Sequence, residues 1–375
     1  MIRHTGKHPR ALNFCGRVKL TAVSLCLSLL AGAGCRSIGP RTIPRDRYDY
    51  SYSISESWKR QTLLNIVKLR YFDPPVFVDV GQIVAGYSLE TSGNLGGQLS
   101  SAGAIQGNSL ALGGAARLTD RPTVTYTPLT GDKFVKALMT PLLPEAIFST
   151  IESGWPADAI LFTTISRLNG LRNQEASIGG LSDAEPRFLR ALQLMGRIQD
   201  AGGVSLRAQQ DAQKRETTLV AITSKNMSEQ TVAEVRELRQ LLGLSPDANE
   251  FKLVSSSLAA NDREFAIKSR SLLHILSIMA AQVEVPAEDV ARGRATPGVV
   301  EAHSQGPPPV RLARILSSKS KPANAYVTVE YRGHWFWIED ADLKSKRSFT
   351  FIMMLFTLMQ SGDKQAAPVL TIPTQ

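Results

Sequence analysis

Residues 52–80 read YSISESWKRQTLLNIVKLRYFDPPVFVDV, and a change of period inside this stretch decides the fold class. Ser53 and Glu56 stand at the S-x-x-E spacing of a capping box. Behind them Ile54, Trp58, Leu63, Ile66 and Val67 recur near helical spacing. The pattern predicts a helix ending at about Tyr71. Asp73-Pro74-Pro75 stops it, because proline disfavours the α region for its predecessor and has no N–H to donate. From Val76 the period becomes two. Val76, Val78 and Val80 alternate with Phe77 and Asp79, the pattern of a strand.

Downstream, PVFVDVGQIVAGYSLET continues as strand, residues 91–119 are rich in Gly, Ser, Ala and Asn, and RPTVTYTP is strand-like through Val124 and Tyr126. Together they predict a long hairpin or small meander at 76–127 with a Gly/Ser-rich tip. Between 131 and 171 helices are punctuated by Pro141 and Pro144, and ADAILFTTISRLNGL reads as a helix stopped at Gly170. A polar loop over 172–186 leads to a helix over PRFLRALQLMGRIQDA, then two short strands, VSLR and TTLVAI. SEQTVAEVRELRQLLG is a helix started at Ser228 and ended at Gly243, EFKLVSS is a strand, and DREFAIKSRSLLHILSIMAAQV is a helix capped at Asn261-Asp262. A Gly/Pro/Ala-rich linker is expected at 291–310. A C-terminal β-β-β-α-β unit follows at 311–375: strand RLARILS, strand YVTVEY, a turn at Arg332-Gly333, strand HWFWIE, a helix from Asp342 and strand VLTIP. No period of 20–50 residues repeats, and strands and helices do not alternate regularly. The expected class is α+β, with a main region at 51–290, as one large or two closely packed domains.

Upstream, residues 36–50 hold two prolines and no amphipathic period, so 35–50 reads as an extended tether. Residues 1–34 are a block of their own. Arg3, Lys7, Arg10, Arg17 and Lys19 carry positive charge with no acid among them, and Leu20 to Gly34 is an uncharged, mostly apolar run. That is a basic n-region and an h-region too short for a permanent span of roughly 20 residues, the layout of a signal peptide. Leu29-Leu30-Ala31-Gly32-Ala33-Gly34-Cys35 resembles the lipobox of bacterial lipoproteins, in which a small residue precedes a lipidated cysteine; Gly32 departs from it, where leucine is usual. The resemblance implies cleavage before Cys35 and lipid on that residue. The competing readings are an uncleaved anchor and an ordinary secreted protein cut at Ala31 or Ala33. Cys15 and Cys26 leave with the leader, so Cys35 is the one cysteine of the mature chain and no internal disulfide forms. The formal net charge of +10 falls by about half with the leader, so the basic pI does not indicate nucleic-acid binding. Arg36, Arg41, Arg45 and Arg47 beside the anchor add roughly 1 kcal/mol each against an anionic surface, offset by Asp46 and Asp49.

Motifs with chemistry are sparse. No G-x-S-x-G occurs, and S-x-x-K appears only at Ser318–Lys321 and Ser361–Lys364, in polar stretches without a K-T-G companion. His274, His303 and His334 have no partner at metal-ligand spacing, and no G-K-[ST] loop is present. His274 reads as a core residue and His334 as partly exposed. Glu339, Asp340 and Asp342 could act as an acid–base pair, but between a strand and a helix start they suit capping better. No catalytic, cofactor-binding or metal-binding residue is assigned. The aromatic group around Tyr331, Trp335 and Trp337 is the candidate partner-binding surface, with Trp335 and Trp337 on one strand face and Phe336 on the other. Phe349–Met359 is apolar but too short to span a bilayer, and reads as a buried helix.

Tyr52–Val80, Trp335–Phe356 and Val369–Pro373 resemble a widespread group of uncharacterised proteobacterial lipoproteins. That resemblance implies export and brings no activity or cofactor. The leading expectation is an envelope lipoprotein, a non-enzymatic scaffold facing the periplasm. Arg36 in place of a retention aspartate points to the outer membrane. Two alternatives stand beside it. One is a subunit of an oligomeric channel or secretion assembly to which the 76–127 hairpin gives strands, against which short strands and weak alternation count. The other is an envelope-polymer hydrolase using Asp340, Asp342 or Ser318.

Overall fold

The computed structural model describes residues 39–84, 86–98, 109–177, 180–210, 216–296 and 310–360. Cys35 and the leader lie outside them, as do Ser361, Lys364, His303, Val369–Pro373 and 297–309 of the expected linker. The described chain is α+β, mixing helices, small antiparallel sheets and one mixed sheet. It divides into two compact units, one holding the described part of 1–53 with 82–125, the other 54–81 with 126–360. The chain passes between them inside its first helix and two strands. The division follows the glycine-rich hairpin and not the 291–310 segment.

The first helix, α1 (Gly39–Arg70), starts well before the expected Ser53, so residues 39–50 are helical and not an extended tether. Pro44 lies inside this helix, where its missing N–H forfeits the bond to the Pro40 carbonyl. Only the second half of α1 is core, with Leu63, Ile66 and Val67 fully buried. The helix ends in a Schellman arrangement: Asp73 N–H donates to Lys68 O at 2.9 Å and Phe72 N–H to Leu69 O at 3.1 Å. Phe72, at φ 59°, occupies the left-handed position that glycine usually takes.

Four strands follow, β1 (Val78–Val84), β2 (Tyr87–Gln98), β3 (Ser109–Asp120) and β4 (Thr123–Pro128), with β1 paired to β4 and β2 to β3. In the second unit α2 (Gly131–Phe134) runs into a π-helical turn at Val135–Met139, followed by α3 (Pro144–Glu152) and α4 (Ala157–Thr164). The helix expected up to Gly170 is cut short. Thr163, Thr164 and Ile165 are β-branched and stiff at χ1, and the chain turns into β5 (Ile165–Leu168). Next come β6 (Leu171–Arg172), β7 (Glu175–Ser177), β8 (Gly180–Ser182), α5 (Pro186–Asp200), β9 (Val204–Gln210) and β10 (Glu216–Ile222). The helix α6 (Glu229–Leu242) forms as its sequence predicts. Ser228 Oγ accepts from Thr231 N–H at 3.2 Å, and Gly243 closes it at φ 64°. After β11 (Glu250–Ser255), the long helix expected from Asp262 is instead β12 (Glu264–Ser269) followed by α7 (Leu272–Ala281). Phe265, Ala266 and Ile267 are all buried, as in a central strand covered on both faces, and Ser271 caps α7.

These strands form a six-stranded sheet in the order β6-β5-β12-β11-β10-β9, antiparallel except for β11 and β12. That parallel pair is joined through 256–263 without the helix that such a connection ordinarily carries. Phe148 of α3 meets Phe265 edge-on at 5.6 Å, and α5 and α6 are tied by Arg190–Glu237 at 2.7 Å and Arg197–Glu234 at 3.0 Å. Beyond α8 (Ala287–Ala291), the start of the expected linker is held in place, with Thr296 accepting from Arg70 Nη1 at 2.7 Å.

The final elements are β13 (Leu316–Ser318), β14 (Ala325–Tyr331), β15 (His334–Glu339) and α9 (Leu343–Gln360). Of the strand expected over RLARILS, Leu316 and Ser317 pair with β15, and Ile315 forms a parallel bridge with Val283. The β14–β15 hairpin turns at Arg332 (φ 52°) and Gly333 (φ 78°), the signature of a two-residue I′ turn. Asp342 caps α9, accepting from Ser345 N–H at 3.0 Å and Ser345 Oγ at 2.6 Å. Phe349, Ile352 and Phe356 of α9 are buried, and Phe356 packs on Phe77 at 5.0 Å. No described helix is long and apolar enough to cross a membrane.

Candidate functional site

The least self-contained part of the described molecule is the ribbon of β2 and β3. Its strands are 12 residues each and pair without a break from Tyr87↔Asp120 to Gln98↔Ser109. The sequence reading had counted short strands against this hairpin, and their length corrects it. Glycines at 93, 96, 97, 113 and 114 hide the strand signal, since glycine has low β-propensity, yet they do not break the ladder. Among the described residues β2 and β3 have no other strand partner, so each leaves one backbone edge open. Side chains whose exposure is defined along 88–96 and 113–118 are exposed throughout.

Cross-strand partners share a face and successive residues alternate, so the register sorts the ribbon into two faces. One takes the pairs Leu89–Leu118, Thr91–Ala116, Gly93–Gly114, Leu95–Leu112 and Gly97–Leu110. The other takes Ser88–Thr119, Glu90–Arg117, Ser92–Ala115, Asn94–Gly113, Gly96–Ala111 and Gln98–Ser109. Apart from Thr91, and from Tyr87 and Asp120 paired at its end, the first carries only leucine, alanine and glycine. The second is polar, and its one acid stands opposite its one base. Sequence reasoning missed this sorting, although the leucines at 89, 95, 110, 112 and 118 carry a signal. Within each strand they are separated by even numbers of residues, which places them on one face once the pairing is known.

At the base of the ribbon Tyr87 Oη donates to Asp46 of α1, and Arg45 Nη2 bonds the same carboxylate at 3.1 Å. The Tyr87 hydrogen bond holds the Asp46 carboxyl below the usual carboxylate range, and Asp46 in turn raises Tyr87.

The aromatic residues singled out in the sequence fall on the β13-β15-β14 sheet, where Trp335 and Trp337 share the half-buried face and Phe336 and Ile338 the buried one. Lys321 Nζ sits 5.4 Å from the Trp335 ring centre, over the indole. Tyr331 is not on that face. Its hydroxyl donates to Asp73, and its ring packs edge-on against Tyr71 at 5.5 Å. Ser318 Oγ donates to Ser320 O at 2.5 Å, and Asp340 pairs with Lys346 at 2.7 Å. His334 is buried, not partly exposed. It lies 3.0 Å from Glu288, because alternation on β15 turns it inward with Phe336. His274 is half-buried, and burial together with the nearby Arg270 charge lowers its pKa.

Two buried polar clusters remain in the second unit. Asp289 accepts from Tyr71 Oη at 2.8 Å and Arg294 Nη1 at 3.2 Å. Burial alone would raise its carboxyl, and these two donors outweigh that and hold it low. Arg270 is 1 % exposed and donates to the carbonyls of Phe162 at 2.8 Å, Thr163 at 3.1 Å and Gln174. Burial pulls its pKa down to about 9, which still leaves it charged at neutral pH. Gln282 extends the network, accepting from Leu312 N–H at 2.8 Å. These groups tie loops to the sheet, and Arg270 Nε is left buried without a partner. An open cleft of about 540 Å³ lies beside Arg70, Phe72 and Pro74. Among the described residues no three His, Cys, Asp or Glu side chains cluster as metal ligands. Compared with family models, curated proteins and solved structures, the chain matches none.

Proposed function

We propose that this chain is a lipid-anchored lipoprotein of the bacterial envelope, facing the periplasm, that binds protein partners as a non-enzymatic scaffold. The observation that carries the binding role is the ribbon with its two open edges. A strand edge presents a row of unpaired N–H and C=O groups, and adding a strand to it is a recurring mode of protein recognition. The leader ending in Leu29–Cys35 supports the anchor, and the membrane on the lipid side is the outer one by the identity of Arg36. Trp335 and Trp337 offer a second, smaller contact surface.

Two measurements test this reading. Mass spectrometry of protein from native membranes should find a mature N-terminal peptide beginning at acylated Cys35; an unacylated N-terminus elsewhere refutes the anchor. A photo-crosslinker at Ser92 should capture one defined protein in high yield, and the same probe at exposed Leu258 should not. Equal, diffuse capture at both positions refutes the scaffold role of the ribbon.

A further inference from the structure

We propose that the ribbon's partner is a second copy of this chain. The β2 edge of one copy pairs with the β3 edge of the next, and the ring closes as a shared barrel that crosses a bilayer. This rests on the reading of the ribbon as the partner-binding element. The face carrying Ala116 and Leu118 turns to lipid, and the face carrying Glu90 and Arg117 lines an aqueous lumen.

Length is the first support. A tilted transmembrane strand needs about 9–11 residues, and each ribbon strand supplies 12. From Leu89 to Gly97 the uncharged face runs about 27 Å at a ~3.4 Å rise, or about 20 Å once tilted near 40°, close to the roughly 25 Å apolar band of such barrels. Alternation is the second support. Barrel strands alternate apolar-out and polar-in, and the register puts the leucines on one face and serine, asparagine, glutamine and the charged pair on the other, with alanine and glycine on both. The ionisable side chains on the apolar face, Tyr87 and Asp120, sit together at its end, where an interface would lie.

Backbone satisfaction supplies the third. In hydrocarbon every N–H and C=O needs a partner, so a two-stranded ribbon cannot enter lipid alone, and only a closed barrel removes its edges. An antiparallel hairpin offers a different strand at each edge. Head-to-tail pairing of identical hairpins therefore keeps every neighbour antiparallel and closes into a ring with an even number of strands.

Ala115 and Ala116 allow a matched test, being adjacent, exposed and on opposite faces. The full chain is purified in detergent from native membranes and reconstituted into phosphatidylethanolamine–phosphatidylglycerol vesicles. The wild type should run as a multiple of the protomer mass and conduct ions. Ala116→Arg should cut the conductance at least tenfold. Ala115→Arg should still form rings and conduct, with permeability shifted toward anions. Thermal unfolding of the second unit should match in both variants, showing that each chain has folded. Equal behaviour of the two arginine variants overturns the face assignment, and a non-conducting wild-type particle overturns the barrel. Capture of a different protein by the Ser92 probe overturns self-assembly while leaving the scaffold reading intact; diffuse capture removes both.

Discussion

β12 and β2 are both strands with continuous ladders, yet they stand at opposite ends of self-sufficiency. β12 has partners on both sides, β5 and β11, and its Phe265, Ala266 and Ile267 are fully buried. β2 has one partner among the described residues and is solvent-exposed over most of its defined positions. The contrast separates two roles for hydrogen bonding. In the six-stranded sheet the ladder is one part of a core closed by α3, α5 and α6, and the net stability comes from apolar burial. In the ribbon the ladder stands almost alone, and an isolated two-stranded hairpin is marginally stable in water. The first region folds for itself. The second leaves both of its edges open among the described residues.

The largest expected effect lies on the self-sufficient side. Arg270→Ala would strip donors from three buried carbonyls and leave a cavity, costing about 3–5 kcal/mol, read as a lower urea midpoint of the second unit. A loss under about 1 kcal/mol would mean that the Arg270 network does not organise that body. A smaller effect is expected on acidification. His274 has a folded pKa below its ordinary 6.5, so its contribution is complete above that value and is lost as the pH falls through the lowered one. Asp289 is likewise depressed, so its contribution is present above the ordinary carboxylate range and disappears at still lower pH. Thermal midpoints measured from pH 7 downward should therefore fall in two stages, and His274→Leu should flatten the first while leaving the second. A two-stage profile in that variant, unchanged from wild type, would contradict the assignment of the first stage to His274.

The sequence was most legible where one local device decides the structure. Ser228 and Gly243 bracket α6, Arg332-Gly333 turns the last hairpin, and Asp342 caps α9. It was least legible where tertiary burial overrides local pattern. Phe265-Ala266-Ile267 is apolar on both strand faces and has no period to distinguish it from a helix. Thr163 to Ile165 sits at a helix–strand junction whose place is fixed by pairing with β12. The partner candidates show the same limit. Alternation correctly put Trp335 and Trp337 together, but nothing local indicated that Tyr331 would be taken by Asp73, far away in sequence. In the ribbon, glycine masked both the strands and their two faces, and only the register between β2 and β3 revealed them.

Hydrogen exchange tests the contrast between body and ribbon most directly, because it reads the stability of each backbone segment separately. In the dilute, monomeric Cys35→Ser chain in aqueous buffer, amides of β5, β11 and β12 should be protected to the level of global unfolding. Those of β2 and β3 should exchange within seconds. In the membrane-extracted assembly the ribbon amides should become as protected as the sheet. Strong protection of β2 and β3 in the isolated monomer would show that the ribbon needs no partner, and would contradict the account.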